Sequence, residues 1–423
     1  MARPNVTVKI DDQSYVIPNN ETGSLVRGGM VSTKGLLHAV GYTAERKIGY
    51  MQIESVADWI TRLNAKDPVG QVATNDLLFW QGESLGYTSY HSSVYSGGTA
   101  GRYPLGPTGE WKNEWYAAHN FLQYGGVLVV GATGSEENTS GGDTTLKNKA
   151  IDLDVVFAAT GDGGVASNIA NHRQDCVAVV PDNHVGSKIS SNTVVSGATQ
   201  NEFTICVFGA KRHLDVSRSV GGAAAQNQLR PGDPVYITTN CAADVAGCIA
   251  RNDKLADPWI SPAGFRRGQI LDVISLVHNP SDAEMDTLYD AKINPITTFP
   301  GEGTVLFGDK TTADGTSTLS RINVSRLFIY LKKTIGAAAR GKLFELNDAT
   351  TRASFVNAVT PLLRNIQARR GLTDFRVVCD ETNNTDALVD ANQFIADIYV
   401  KPTKSINFIK LTFTNKNTAD DLN

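Results

Sequence analysis

Apolar residues recur at helical spacing through the last quarter of the chain, where the pattern reads strand, helix, helix, strand, hairpin. Between Arg326 and Arg340, Leu327, Phe328, Leu331, Ile335 and Ala338 fall on one side, and Arg326, Lys333 and Arg340 gather away from that stripe. A second stripe joins Phe355, Val356, Val359, Leu362, Leu363 and Ile366; Gly371 ends it behind Arg369 and Arg370, cations that suit a helix C-terminus. Pro361 lies within this stripe and predicts a kink, or a restart capped by Thr360. Phe375 to Cys379 reads as a short buried strand, and the runs 394–400 and 406–413, broken at Lys401-Pro402, read as a hairpin.

Upstream, the chain alternates between short apolar runs and amphipathic stretches. Val6, Val8 and Ile10 alternate with polar residues on the terminal segment, ahead of any element they would obviously pair with. From the residues alone, an edge strand of the same subunit and an arm completing a neighbour's sheet fit equally well. A strand is expected over 36–40, and a helix over 53–63 from the spacing of Ile53, Val56, Ile60 and Leu63. Residues 66–110 are rich in Gly, Ser and Tyr, with no long periodic element, and read as a peripheral insertion. Trp115, Ala118, Phe121 and Leu122 then form a helix face, Gly125-Gly126 ends the helix, and 127–130 is a buried strand. After a polar loop over 131–142, the run 151–157, a helix over 166–174 and the run 176–181 make a β-α-β unit, and 203–208 adds a further strand. The series predicts an α/β fold with a mainly parallel sheet and helices on its faces.

The charge balance narrows the partners. A net charge of −4 gives no global basic field for nucleic acid or anionic membrane. Only 19% of residues are charged, which suits a surface largely covered by neighbours. Five scattered cysteines without a C-x-x-C pair point to buried free thiols in a reducing compartment. No apolar run approaches a membrane span, and the N-terminal residues lack the apolar core of a signal peptide.

Candidate chemistry is sparse. The tyrosines 87, 90, 95 and 103 fit loop-pinning better than a stacking surface. Gly161-Asp-Gly-Gly164 lacks both the Lys-Ser/Thr ending of a P-loop and the G-x-G-x-x-G spacing, and reads as a glycine turn. His172, His184 and His213 lie near Asp175, Asp182 and Asp215 in sequence but show no nucleophile elbow. Asp152 and Asp154 share one strand face without a third ligand, so they read as a polar strand-end pair. No catalytic residue, metal site or cofactor is expected.

An ordered series of segments resembles the contractile-tail sheath proteins of bacteriophages, the large myovirus group in particular. It runs through Thr304-Val-Leu-Phe-Gly-Asp-Lys-Thr-Thr312, Ser320 to Lys333, Phe344-Glu-Leu-Asn347, Arg369-Arg-Gly-Leu372, Phe375 to Asp380 with Asn383-Asn384, Ile398-Tyr-Val-Lys-Pro402 and 406–411. Trp115 to Gly126, Cys241 to Asp253, Pro258 to Gly268 and Leu288 to Pro295 extend it upstream. The chain departs from the family's usual form at Cys241-Ala-Ala and in the Gly/Ala/Gln-rich stretch 221–228.

The resemblance implies a multi-domain, mixed α/β sheath core with inserted peripheral subdomains and extended terminal strands. Expected boundaries are an exchange arm over 1–20, an N-terminal and middle region over 21–300 with the insertion at 66–110, a C-terminal α/β domain over 301–404, and an exchange strand and tail over 405–423. It implies a homo-oligomer of stacked rings around an inner tail tube, with baseplate and tail terminator proteins as further partners, and neither nucleic-acid binding nor membrane insertion. Such a protein is assembled in the bacterial host cytoplasm, resides in the virion, and contracts without cofactor or nucleotide. The resemblance favours the arm reading for Val6, Val8 and Ile10, and adds Ile406, Phe408, Lys410, Leu411 and Phe413 as a second exchanged strand. Lys332, Lys333, Arg340, Arg364, Arg369 and Arg370 are the candidates to face the tube, weighed against a plain solvated face. The sheath of a related non-phage injection system and an α/β enzyme with an unrecognised site are the competing readings.

Overall fold

The computed structural model describes residues 26–32, 50–57, 110–132, 144–158, 163–182, 198–214, 236–313 and 317–407. The expected arm at 6–10, the strand at 36–40, most of the helix at 53–63, the 66–109 insertion, the loop 133–143, and Phe408, Lys410, Leu411 and Phe413 lie outside the described residues.

An eight-stranded sheet forms the centre, in the order β11-β10-β6-β5-β4-β1-β3-β2. Its strands are β1 (Arg27–Ser32), β2 (Tyr50–Ile53), β3 (Val127–Ala132), β4 (Val155–Phe157), β5 (Val177–Pro181), β6 (Thr204–Phe208), β10 (Ile293–Phe299) and β11 (Gly303–Leu306). The inner strands, from β10 across to β3, run parallel, whereas the edge strands β11 and β2 are antiparallel. Uninterrupted runs such as Val-Ala-Val-Val in β5 are buried throughout because helices cover both faces. Helices α1 (Glu110–Gln123), α2 (Thr144–Lys147), α3 (Gly163–Arg173) and α4 (Ala242–Leu255) provide that cover. Three further strands, β7 (Ala210–Leu214), β8 (Tyr236–Asn240) and β9 (Ser275–Leu276), make a separate antiparallel sheet. Strand β1, Arg-Gly-Gly-Met-Val-Ser, carries no apolar alternation, yet it lies inside the sheet. Its glycine is steric: a Cβ on Gly28 would stand 2.4 Å from the Phe121 ring of α1.

Two expectations are corrected here. Ile53 ends β2 and does not open a helix, because residues 50–53 pair with 128–131 of β3. The strand expected over 151–157 shrinks to Val155–Phe157, since Asp154 turns to exchange backbone and side-chain hydrogen bonds with Arg27.

After α5 (Asp282–Asp290) and the β10–β11 hairpin, α6 (Ile322–Arg340) joins two apolar clusters. Ile322 and Ile329 face the central core, whereas Leu327, Leu331 and Ile335 pack with Trp259 and with Phe355, Val359, Leu363 and Ile366 of α7 (Ala349–Ala368). Helix α7 is continuous through Pro361, with Asp348 as its N-cap, so the expected restart at Thr360 does not occur. One buried stripe holds both halves to the same core, which outweighs the backbone bond the proline removes. At its end Arg370 takes the left-handed conformation (φ 67) and the Gly371 amide bonds to the Ile366 carbonyl at 2.8 Å. The small sheet of β12 (Leu372–Val378) and β13 (Asp397–Pro402) follows, with α8 (Asp386–Asp390) between its strands. Strand β12 is half-exposed rather than buried, and β13 pairs with β12, whereas most of the second run of the expected hairpin, 408–413, lies outside the described residues.

Arg326, Lys332 and Lys333 of α6 are buried, against expectation. The Lys333 ammonium reaches Asp154 at 2.6 Å, Asp152 at 3.1 Å and the Leu153 carbonyl at 2.8 Å. Arg27 closes the group on Asp152 at 2.5 Å, and Arg326 forms a two-pronged pair with Asp253. Burial opposes the Lys333 charge, but Asp154 and Asp152 outweigh it and raise its pKa above the ordinary lysine value. The neighbouring Lys332 is equally buried, and burial, aided by Lys149, pushes its pKa down to about 8.

Adjacent lysines should therefore respond oppositely to the same substitution. Lys333→Met strips Asp154 of its cation and leaves Asp152 only Arg27, and should cost about 3–5 kcal/mol. Lys332→Met removes a charge that folding disfavours and should stabilise at pH 7 by about 1–3 kcal/mol. Between about pH 8 and the ordinary lysine range, the unfolded chain keeps a proton that folded Lys332 has lost, so Lys332 makes stability rise with pH there. Denaturant melts from pH 7 to 10 should show that rise flattened in Lys332→Met.

Candidate subunit interface

The β12–β13 sheet is held in shape by its own side chains. Neither strand's outer edge pairs with another strand among the described residues. Phe375, Val377, Ile398 and Val400 pack inward on the α6–α7 cluster. On the outer face Asp374 pairs with Lys401, and Arg376 stands opposite Tyr399. Side-chain amides fix the connections: Asn384 donates to the Ile395 carbonyl and accepts from the Ile395 amide, each at 2.8 Å, and Asn383 donates to the Val378 carbonyl at 2.9 Å. Gly371 sets the sheet's start, since a Cβ there would meet Ile366 at 2.6 Å and Trp259 at 3.1 Å. Unpaired but rigid strand edges are sites where a further strand can add by backbone hydrogen bonds alone.

Beside this sheet the chain leaves through a polar clamp centred on Asp309. The Thr403 amide donates to the Gly371 carbonyl at 3.1 Å. Ser405 then donates to Asp309 at 2.5 Å, and the Asn407 amide group donates to Asp309 at 2.8 Å and to the Tyr289 hydroxyl at 2.7 Å. Arg321 holds Asp309 at 3.0 Å and Tyr289 at 2.5 Å, while the Lys310 ammonium sits 3.6 Å from the Tyr289 ring centroid. Ile406, between the two clamped residues, is exposed and belongs to no strand. Sequence reasoning placed Gly308-Asp309-Lys310 in a family segment without finding this role, because the groups it grips lie far away in the chain.

The basic candidates separate into distinct groups. Lys332 and Lys333 are inside the subunit, which corrects their assignment to an outward face. Arg369 pairs with Asp257 and lies over Trp259, whose indole donates to the Arg369 carbonyl at 3.1 Å. Arg340, Arg364 and Arg370 are exposed.

His213 lies 3.6 Å from the Asp272 carboxylate; the sequence-adjacent Asp215 lies outside the described residues. Its other ring nitrogen is 3.2 Å from the Thr239 hydroxyl; both residues are buried, and the Tyr116 ring packs edge-on against the imidazole. Burial also pushes the His213 pKa down to about 4. Asp152 and Asp154 hold Lys333, a role that no local signal announces.

Comparison with known proteins follows the chain in order. The family model described as phage tail sheath protein central domain matches residues 158–312, and that described as phage tail sheath C-terminal domain matches 314–416. The tail sheath protein of Vibrio phage KVP40 is 42% identical over 283 residues, which is 65% of this chain and 42% of that protein. The tail sheath protein of Enterobacteria phage T4 is 47% identical over 180 residues, 43% of this chain and 27% of that protein. The matched part of the chain thus spans less than half the length of these curated relatives. Among solved structures, the sheath complex of an extracellular contractile injection system in its contracted state shares the fold, with TM-score 0.65 and 15% identity over 98% of both chains. The anti-feeding prophage helical sheath, also contracted, gives TM-score 0.62 and 13% identity over 98% of this chain and 100% of that one.

The clamp predicts a local effect. Asp309→Ala should lower stability by about 1–3 kcal/mol and speed amide hydrogen exchange at residues 403–407, while the β12–β13 amides keep their protection. Unchanged exchange at 403–407 would show that the clamp does not hold that segment.

Proposed function

The chain belongs to the phage tail sheath protein family, and from that premise we propose that it is a structural subunit that polymerises around an inner tail tube and contracts to drive the tube through the host envelope. The observation that carries this reading is the rigid two-stranded sheet whose outer edges pair with no further strand among the described residues, set beside the clamped root of the C-terminal segment. A sheath subunit must slide and rotate against its neighbours without detaching. Shared backbone hydrogen bonds meet that need, since each contributes roughly 0.5–1.5 kcal/mol net and none depends on how side chains repack. In this reading Val6, Val8 and Ile10 of one copy, and Ile406, Phe408, Lys410, Leu411 and Phe413 of another, complete the β12–β13 sheet of a third. Such contacts are heterologous and build a helical polymer when the rotation does not close.

The exposed cations Arg340, Arg364 and Arg370, with Arg369 held nearer the surface by Asp257, are the proposed tube-facing groups. Baseplate and terminator proteins are the proposed partners at the two ends. The subunit is assembled in the host cytoplasm and resides in the virion. Its work comes from inter-subunit burial rather than from turnover, nucleotide or cofactor. The 42–47% identity to phage proteins favours a phage tail over a non-phage injection machine.

Electron microscopy of the purified protein should display hollow, ridged cylinders. Removal of residues 1–17, or of 406–423, should leave a folded monomer that forms none; normal cylinders from either truncation would refute the corresponding arm.

A further inference from the structure

The loop joining α6 to α7 presents apolar side chains to water from a stiff support. Phe344 is 86% exposed and Leu346 78% exposed, among the largest exposures of any apolar side chain described. The loop is tied down by the Lys342 amide on Ala339, the Glu345 amide on Lys342, and Asn347, which donates to the Gln393 carbonyl at 2.8 Å. Phe344 itself has φ 71, a left-handed conformation that costs an aromatic residue about 1–3 kcal/mol. The fold thus spends stability to hold a phenylalanine in solvent. Glu345, between the two apolar residues, is exposed and has no cationic partner among the described residues.

A receptive surface lies elsewhere on the same subunit. Phe265, Phe299 and Phe307 form an aromatic cluster beside the β10–β11 hairpin, with ring centroids 5.1 to 6.3 Å apart. Phe265 and Phe307 remain 40% and 44% exposed. Arg266 stands at its rim, exposed and without a carboxylate partner among the described residues, and Arg267 is engaged with the Ser261 carbonyl. Knob and cluster do not meet within the subunit, carry opposite unpaired charges, and each exposes aromatic surface of the kind that anchors interfaces.

We propose that Phe344 and Leu346 of one subunit seat on the Phe265–Phe299–Phe307 cluster of a second copy of this chain, with Glu345 meeting Arg266 at the rim. The contact is head-to-tail, so its repetition extends a polymer rather than closing a dimer. It rests on the sheath reading above and supplies that reading with a side-chain contact distinct from the exchanged strands.

The test is a charge swap in the full-length protein, with the critical concentration for assembly measured by sedimentation and the polymers inspected by microscopy. Glu345→Arg and Arg266→Glu should each raise the critical concentration about tenfold or more, equivalent to ~1.4 kcal/mol per subunit. The double variant should return to within about threefold of wild type. Both charged positions are exposed, so melting temperatures should not move. Single variants that assemble like wild type, or a double variant no better than the worse single, would overturn the contact while leaving the sheath reading intact. A wild-type protein that stays monomeric at its highest soluble concentration would overturn both.

Discussion

A strand edge must be paired, covered or left to water, and the fate of each edge organises this molecule. At one border of the central sheet, β11 is covered by its own chain: Gln269 bridges Val305, the Ile270 amide donates to the Thr304 carbonyl, and the Leu306 amide donates to Gly268. The β12–β13 sheet receives no such cover among the described residues. The contrast matters because an open edge is a liability that proteins ordinarily blunt. Here it is stiffened by asparagine side chains and a glycine-dependent turn, which suits an edge meant to be used.

Helix α6 makes that edge mechanically useful. Its apolar residues reach into both clusters, and Lys333 pins it to Asp152 and Asp154 at the rim of the central sheet. A load entering through β12 and β13 would pass through α7 and α6 into the eight-stranded sheet by packed side chains and a partly buried ion cluster. Interiors of this density transmit displacement rather than absorb it. The Asp309 clamp plays the matching part for the C-terminal segment, fixing where it departs while leaving Ile406 free to point outward.

Much of this architecture was legible in local pattern. The runs at 127–130, 177–181 and 204–208, bounded by turns, could be read as buried strands, and the stripes of α6 and α7 gave both helices. What local pattern could not encode was partnership at long range. Periodicity set Lys333 apart from the apolar stripe because it had no view of Asp152 and Asp154, which approach from far upstream. Ile53 satisfied a helical spacing and was claimed by β3 instead, and β1 had glycines where a strand shows branched residues because Phe121 needed the room. The β12–β13 sheet was legible as a family likeness in Arg369 to Pro402, but the pairing of its two strands with each other, and with no third strand among the described residues, emerged only from the structure.

The most direct test of the account is hydrogen exchange at the outer-edge amides of β12 and β13, compared between monomer and assembled protein. Borrowed strands predict that alternate amides, those pointing away from the β12–β13 pairing, exchange readily in the monomer and become strongly protected in the polymer. Protection of those amides that is the same in both states would contradict the claim that neighbouring chains complete this sheet.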